Sequence, residues 1–95
     1  MTYTFKASPK DSTAVADMSI NWATNFLVTD ETIASFDVTC PDESIVISQK
    51  TQAAGVTRWR VSGGVTGTNP IITCEIVTSA GRREPNSIML PIRDQ

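Results

Sequence analysis

The side chains best suited to chemistry in this 95-residue chain are two adjacent acidic pairs and two cysteines, and no histidine accompanies them. The acidic pairs are Asp30-Glu31 and Asp42-Glu43, and the thiols belong to Cys40 and Cys74. The absence of histidine removes the commonest general base, the commonest zinc ligand and the usual pH switch. No base is spaced to activate a cysteine or serine nucleophile. We therefore predict a protein that is not an enzyme and that holds no cofactor.

Each of these groups has a plainer interpretation. Carboxylates are the usual ligands of calcium, but the spacing of the acidic pairs matches no EF-hand loop, so solvated turns are the default. Two cysteines without histidine cannot complete a structural zinc site within one chain. We expect free buried thiols, with an inter-sheet disulfide as the alternative.

Glycines and arginines form the other notable groups. The run Gly63-Gly64-Val65-Thr66-Gly67-Thr68 lacks the Gly-Lys-Ser/Thr ending of a phosphate-binding loop, so it predicts a hairpin turn or a turn between the sheets. Arg58 and Arg60 flank Trp59, and strand alternation places both guanidinium groups on one face. Since arginine is enriched at interface hot spots, these two are candidate interface residues, while Trp59 is assigned to the core. The run Arg82-Arg83-Glu84 is predicted to be a solvated loop tip.

The charge excludes several classes of partner. The chain has 8 basic and 10 acidic side chains, a net charge of −2. Mild acidity argues against nucleic acid binding and against a polybasic membrane surface. The first ten residues carry no signal-peptide pattern, and no apolar run is long enough to span a bilayer. We expect a protein made in a cytosol that contacts neither nucleic acid nor membrane.

Alternation of apolar and polar residues predicts about seven short strands. Turn signals recur roughly every 8–12 residues, as in a small all-β sandwich. The intervals leave no room for crossover helices, which predicts antiparallel sheets. The predicted core consists of Met18, Ile20, Trp22, Phe36, Val38, Ile45, Ile47, Trp59, Val61, Ile72, Cys74, Ile76, Ile88, Leu90 and Ile92.

Three strands carry more specific expectations. The stretch 32–40 is expected to point Ala34, Phe36, Val38 and Cys40 to one face. The short apolar run 45–47 is expected to be buried on both faces. The last strand, which contains Pro91, is expected at a sheet edge, because proline cannot donate to a ladder.

Length predicts one domain over residues 1–95, since two independent cores would not fit. Residues 1–10 are expected to form an edge strand or an assembly arm. Tyr3 and Phe5 fall on one side of this segment. Because edge strands readily pair with neighbouring chains, we count both as candidate interface residues beside Arg58 and Arg60.

Six short sequence segments, which we call phrases, also occur in an order that is found in a known protein family. They are Ser8-Pro9-Lys10-Asp11, Ile20-Asn21-Trp22, Glu31-Thr32-Ile33-Ala34-Ser35, Val61-Ser62-Gly63-Gly64-Val65-Thr66-Gly67-Thr68, Ile76-Val77-Thr78-Ser79-Ala80-Gly81-Arg82 and Ser87-Ile88-Met89-Leu90. Together they resemble a family of small tailed-phage structural proteins, the fiber-tail adaptors, over residues 8–93. The chain departs from the family pattern at Pro70, where a tyrosine is expected.

The resemblance implies an immunoglobulin-like β-sandwich and a virion structural role without catalytic residues. The protein would be a tail, neck or fiber-tail adaptor that acts by protein–protein contacts. Its partners would be other phage structural proteins, and it would be present in multiple copies in a symmetric assembly formed in the bacterial host cytoplasm. The alternatives are a capsid decoration module and a carbohydrate- or calcium-binding attachment module.

Overall fold

The computed structural model describes residues 3–7 and 9–94, without the side chains of residues 3–6 and 25. Most of this length is rich in β-branched residues and forms strands. In chain order the elements are β1 (Tyr3–Lys6), β2 (Ala16–Asn21), α1 (Trp22–Asn25), β3 (Ile33–Thr39), β4 (Ile45–Ala53), β5 (Val56–Gly63), β6 (Ile71–Thr78) and β7 (Arg83–Met89). Within the described ranges, no helix has the length and hydropathy needed to cross a membrane.

The strands form two sheets with the order of an immunoglobulin-like sandwich. One sheet has the order β1-β7-β6-β3 and the other has the order β2-β5-β4. In immunoglobulin domains the second, fifth and fourth strands share one sheet, and the third, sixth and seventh strands share the other. The same division occurs here. The predicted all-β sandwich of about seven strands is confirmed.

The first strand departs from the predicted antiparallel arrangement. β1 lies at the edge of the four-stranded sheet and pairs in parallel with β7, with Tyr3 opposite Asn86 and Lys6 opposite Met89. The other strand pairings are antiparallel, as predicted. Parallel neighbours need a long connection. Here the whole intervening sandwich provides it, because β1 and β7 come from opposite ends of the chain.

The last strand is not an edge strand, so the expectation drawn from Pro91 was wrong. β7 ends at Met89 and lies between β1 and β6. Pro91 follows the strand, and its carbonyl accepts a hydrogen bond from the Lys10 backbone N–H at 2.9 Å. The described edges are therefore β1 and β3 in one sheet and β2 and β4 in the other.

Side chains of both sheets fill the space between them. The buried hydrophobic residues are Ile20, Trp22, Ile33, Val38, Ile45, Trp59, Val61, Ile72, Cys74, Ile76, Ile88, Leu90 and Ile92. All except Ile33 belong to the predicted core. Three other residues of that prediction, Met18, Phe36 and Ile47, are half-buried and pack against the core.

Two expectations about faces were wrong. The pairing of β3 with β6 shifts between Ile33 and Ser35, which leaves Ile33 buried and Ala34 exposed. The run 45–47 is buried on one face only, since Val46 is 55 % exposed. A bulge changes which side chains face the core, and the extra residue is visible only beside the partner strand.

Trp22 begins a short helix instead of ending β2. The Asn21 side chain caps this helix by accepting a hydrogen bond from the Thr24 backbone N–H at 3.1 Å. The Trp22 indole is still fully buried, and its Nε1 donates to Thr57 Oγ1 at 3.0 Å. That hydroxyl lies 3.5 Å from Cys74 Sγ.

Both cysteines of the chain are free, and burial raises the pKa of the Cys74 thiol to about 11.

Candidate protein-interaction surfaces

The outer surface of the three-stranded sheet carries both predicted interface arginines. Along β5, Trp59 and Val61 face the core, whereas Arg58 and Arg60 alternate with them and face outward. The register places Asp17 of β2 opposite Arg60, and Arg60 Nε donates to Asp17 Oδ1 at 2.9 Å. Among the described side chains, Arg58 has no such ion pair. We call this surface, with Asp17, Ser19, Arg58 and Arg60, the arginine face.

Exposed valines border the arginine face at one end. Val46 of β4 lies opposite Ser62, and Val15 lies one residue beyond the pairing of Ala16 with Val61. Val46 therefore lies beside Ser62, Val15 directly precedes β2, and the two valines are 55 % and 60 % exposed. The sequence analysis missed this apolar border.

Tyr3 and Phe5, the other two predicted interface residues, belong to a different sheet. Their backbone forms part of β1, where Tyr3 pairs with Asn86 and Phe5 pairs with Ile88. Their side chains lie outside the described part of the structure. The fold therefore divides the four candidates into two pairs, one on each sheet.

The glycine-rich run connects β5 to β6 and carries the chain from one sheet to the other, so of the two predicted kinds of turn it is the one between sheets. Gly63 has a φ of 81°, and a side chain there would overlap the carbonyl oxygen of Ser44. This close backbone approach explains the glycine. The same loop binds the C-terminal segment, since the Gly67 N–H donates to Ile92 O at 2.8 Å and the Ile92 N–H donates to Thr68 O at 2.9 Å.

A buried lysine joins this loop to the start of the chain. Lys10 is only 4 % exposed, and its Nζ donates to the carbonyls of Gly63 and Asp11, each at 2.7 Å. Nearby, Asp94 Oδ1 accepts from the Ser12 N–H at 3.0 Å and from the Ser12 hydroxyl at 2.7 Å. Hydrogen bonds from the Thr66 and Ser12 hydroxyls lower the pKa of Asp94 to about 2. We call this part of the sandwich the Lys10 end.

The opposite end is joined by an ion pair between two other loops. Arg82 Nε donates to Glu31 Oε2 at 2.9 Å, Arg82 Nη2 donates to Glu31 Oε1, and the guanidinium lies 4.1 Å from the Phe26 ring centroid. The Glu31 side chain is 2 % exposed. Hydrogen bonding from Arg82, and then from the Thr78 hydroxyl, lowers the pKa of Glu31 to about 2. We call this the Arg82 end.

These contacts correct two expectations. Glu31 was expected in a solvated turn and Arg82 at a solvated loop tip, but both side chains hold loops together. The other acidic pair is also used locally, since the hydroxyl and N–H of Ser44 bind Asp42 and hold the pKa of that carboxyl below its usual range. In the part of the chain that the structure describes, no group of three or more His, Cys, Asp or Glu side chains is placed to hold a metal.

A comparison with protein families identifies the kind of protein that carries these features. The model of the family described as podophage GP4 fiber-tail adaptor protein gp77 matches residues 10–91. The chain belongs to this family. The adaptor family gives it a structural, tail-related role in a phage virion, and the resemblance found from the sequence phrases is confirmed. No curated protein matches the chain.

Two pairs of the phrases that resemble the adaptor family meet in space. Lys10 of the first phrase contacts Gly63 of the glycine-rich phrase, although 53 residues separate them. Glu31 contacts Arg82 across 51 residues. At Pro70, where the sequence resemblance led us to expect tyrosine, the carbonyl accepts a hydrogen bond from the Leu90 N–H at 2.9 Å. At these points the phrases hold the sandwich together.

Proposed function

We propose that the protein is a non-enzymatic tail, neck or fiber-tail adaptor that works through protein–protein contacts. The family match over residues 10–91 is the observation that carries this proposal. The partners are other structural proteins of the phage. Several copies arranged around the tail axis would convert weak single contacts into firm attachment. The protein is made and assembled in the cytoplasm of the bacterial host.

The arginine face supports a contact role. Arg60 is held by Asp17, whereas Arg58 has no ion-pair partner among the described side chains. Exposed Val15 and Val46 border the same face. Exposed apolar residues beside an available arginine favour a protein interface. We expect the partner to present a carboxylate to Arg58.

The N-terminal segment supplies a second proposed contact region. The β1 edge offers backbone groups to a neighbouring chain, and Tyr3 and Phe5 lie on this strand. We propose that residues 1–95 form one domain and that residues 1–10 contribute this edge to the assembly.

The state of the carboxylates supports a role without catalysis. A general acid or base works best with a pKa near the working pH. Arg82 and neighbouring hydroxyls instead lower the pKa of Glu31 to about 2, and hydroxyls do the same for Asp94. Both groups therefore stay ionised near neutral pH and serve as acceptors for loop contacts.

The proposal is tested by locating the chain in a purified phage particle. Mass spectrometry of the particle and a density map should find it in repeated copies at the neck, the tail or a fiber base. Arg58→Glu should reduce the number of fibers per particle, because it opposes the expected carboxylate. Arg83→Glu is the matched control, since Arg83 is also exposed but begins β7 in the other sheet.

Particles without the chain, or with copies confined to the capsid surface, would overturn the adaptor proposal. Equal fiber loss in both variants would leave the adaptor role but remove the arginine face from it.

A further inference from the structure

A depression in the arginine face lies where Met18 of β2 pairs with Trp59 of β5. The side chains of these two residues pack on the core side of the sheet, so their backbone faces outward. The rim around this backbone consists of Asp17, Ser19, Gln49, Arg58 and Arg60. A side chain of another molecule can therefore enter between two guanidinium groups.

The charges of the rim favour a carboxylate. Asp17 is the one acidic residue among the described rim residues, and it already accepts a hydrogen bond from Arg60 Nε at 2.9 Å. Arg58 is exposed and has no ion pair among the described side chains. The rim therefore has one positive charge in excess, although the whole chain has a net charge of −2. A carboxylate between the two arginines would balance that charge and accept hydrogen bonds from guanidinium N–H groups.

The neighbours of Arg58 leave its guanidinium accessible. Ser19 of β2 and Thr51 of β4 lie on either side of it in the sheet, and both have short, uncharged side chains. Lys50, the cation of β4, is directed toward the other sheet, since its Nζ lies 3.2 Å from Asp37 Oδ1 of β3. Arg58 is therefore the cation through which this face can attract a partner.

Val46 supplies a second contact point on the same face. Arg58, Arg60 and Ser62 are successive outward residues of β5, and Val46 lies opposite Ser62 and is 55 % exposed. Since a strand rises about 3.3 Å per residue, the row of Val46 and Ser62 lies about 13 Å along the sheet from Arg58. An extended segment that follows β5 spans this distance with residues four positions apart.

A second copy of this chain fits the face less well than a different protein does. Two copies meeting by their arginine faces would bring together two rims that each carry an excess positive charge. Like charges across such a contact oppose self-association. An acidic segment of another protein makes the same contact without this repulsion.

We infer that the arginine face binds an extended acidic segment of another phage structural protein. An aspartate or glutamate of that segment lies between Arg58 and Arg60, and an apolar residue four positions away contacts Val46. This inference rests on the proposed adaptor role and adds to it the partner's two contact groups and the spacing between them.

Crosslinking in the purified phage particle tests the position of the carboxylate. Arg58→Lys keeps the positive charge and supplies an amine that a carbodiimide joins to a carboxylate in contact with it. Mass spectrometry should find position 58 joined to an aspartate or glutamate of a different phage protein, with an apolar residue four positions away. Arg83→Lys is the matched control and should give no link to that segment, because Arg83 is exposed at the start of β7 in the other sheet.

The isolated full-length protein tests the spacing of the two groups. The probe is a synthetic nine-residue peptide of serine and threonine that carries glutamate at its third position and leucine at its seventh. In nitrogen-15 NMR spectra, this peptide should shift the amides of Val46, Arg58 and Arg60. Glutamine in place of glutamate, or leucine moved by one position to the opposite side of the extended peptide, should weaken binding at least about fivefold.

Two pairs of variants assign the binding to the two contact points. Arg58→Gln should weaken peptide binding at least about fivefold and Val46→Thr at least about threefold, whereas Arg83→Gln and Val28→Thr should leave it unchanged. Val28 is the matched control for Val46, because it is 61 % exposed but lies before β3 at the Arg82 end. All four side chains are exposed, so each variant should keep the fold, and thermal unfolding checks this.

The inference alone is overturned if the particle contains the chain but position 58 links only to Asp17 of the same chain, to another copy of the chain or to nothing. Absence of peptide shifts on the arginine face, or equal weakening by the control variants, would also overturn it. A particle that lacks the chain would overturn the adaptor role itself, so the two failures are distinguishable.

Discussion

The Lys10 end and the Arg82 end each use one cation to join distant parts of the chain, but the acceptors differ. Lys10 is almost fully buried and donates to two backbone carbonyls. Arg82 is 41 % exposed and donates to the carboxylate of Glu31. A contact with carbonyls depends on backbone geometry, whereas a contact with a carboxylate depends on charge state. The two ends should therefore respond to different perturbations.

The largest expected effect comes from the backbone at the Lys10 end. Gly63→Ala places a methyl group against Ser44 O at a residue with positive φ, so the two strand ends must move apart. Strain and overlap together should lower the free energy of unfolding by about 3 kcal/mol or more. Urea unfolding measures this change.

Gly67→Ala is the control for this prediction. Gly67 lies in the same loop with a φ of 91°, but nothing lies within 4 Å of the added carbon. Gly67→Ala should lower the free energy of unfolding by only about 1 kcal/mol. Equal costs at the two positions would mean that the overlap with Ser44 does not matter.

A smaller effect is expected when the Lys10 ammonium is removed. Lys10→Met keeps an unbranched side chain that is one heavy atom shorter, and it leaves the carbonyls of Gly63 and Asp11 without their charged donor. The free energy of unfolding should fall by about 2 kcal/mol. In the control, Lys50→Met, an exposed ion pair with Asp37 is lost, which should cost less than about 0.5 kcal/mol. A Lys10→Met protein as stable as the control would refute the structural role of the ammonium.

The effect expected at the Arg82 end depends on acid pH. The pKa of Glu31 falls from 4.5 to about 2 on folding. Its contribution to stability is therefore present above about pH 4.5 and is lost as the pH falls toward 2. Glu31→Gln should reduce the proton uptake that accompanies acid unfolding by about one proton. The slope of the unfolding free energy against pH, measured between pH 2 and pH 6, gives the number of protons taken up on unfolding.

Asp94→Asn provides the comparison at the Lys10 end. Asp94 also has a pKa lowered to about 2, but the cause is hydrogen bonding from neutral hydroxyls. High ionic strength should therefore reduce the contribution of Glu31 to the free energy of unfolding more than it reduces the contribution of Asp94. The same salt response at both carboxylates would mean that the two ends do not differ in this way.

Much of the fold could be predicted because alternation within a strand is a local property. Trp59 and Val61 face inward and Arg58 and Arg60 face outward, as their spacing indicates. The wrong predictions concern positions where pairing with a second strand decides which side chains face the core or which strands are neighbours. The bulge in β3 moved Ile33 into the core, and the parallel pairing of β1 with β7 joins residues about as far apart as the chain allows.

The candidate surfaces were harder to predict for the same reason. Glu31 and Arg82 are far apart in sequence, and neither local window indicates an ion pair. The open edge of β2 follows from where β1 pairs, which alternation within either strand does not reveal. Alternation along β4 could have predicted that Val46 points outward. We predicted burial on both faces instead, because three apolar residues follow one another at 45–47.

The parallel pairing of β1 and β7 has a mechanical consequence. A tension that pulls Tyr3 and Met89 in opposite directions tries to slide one strand along the other. The hydrogen bonds between the two strands then carry the load together, instead of opening one after another from an end. If a fiber pulls on this tail component, the hydrogen bonds between its first and last strands would thus resist the force in shear.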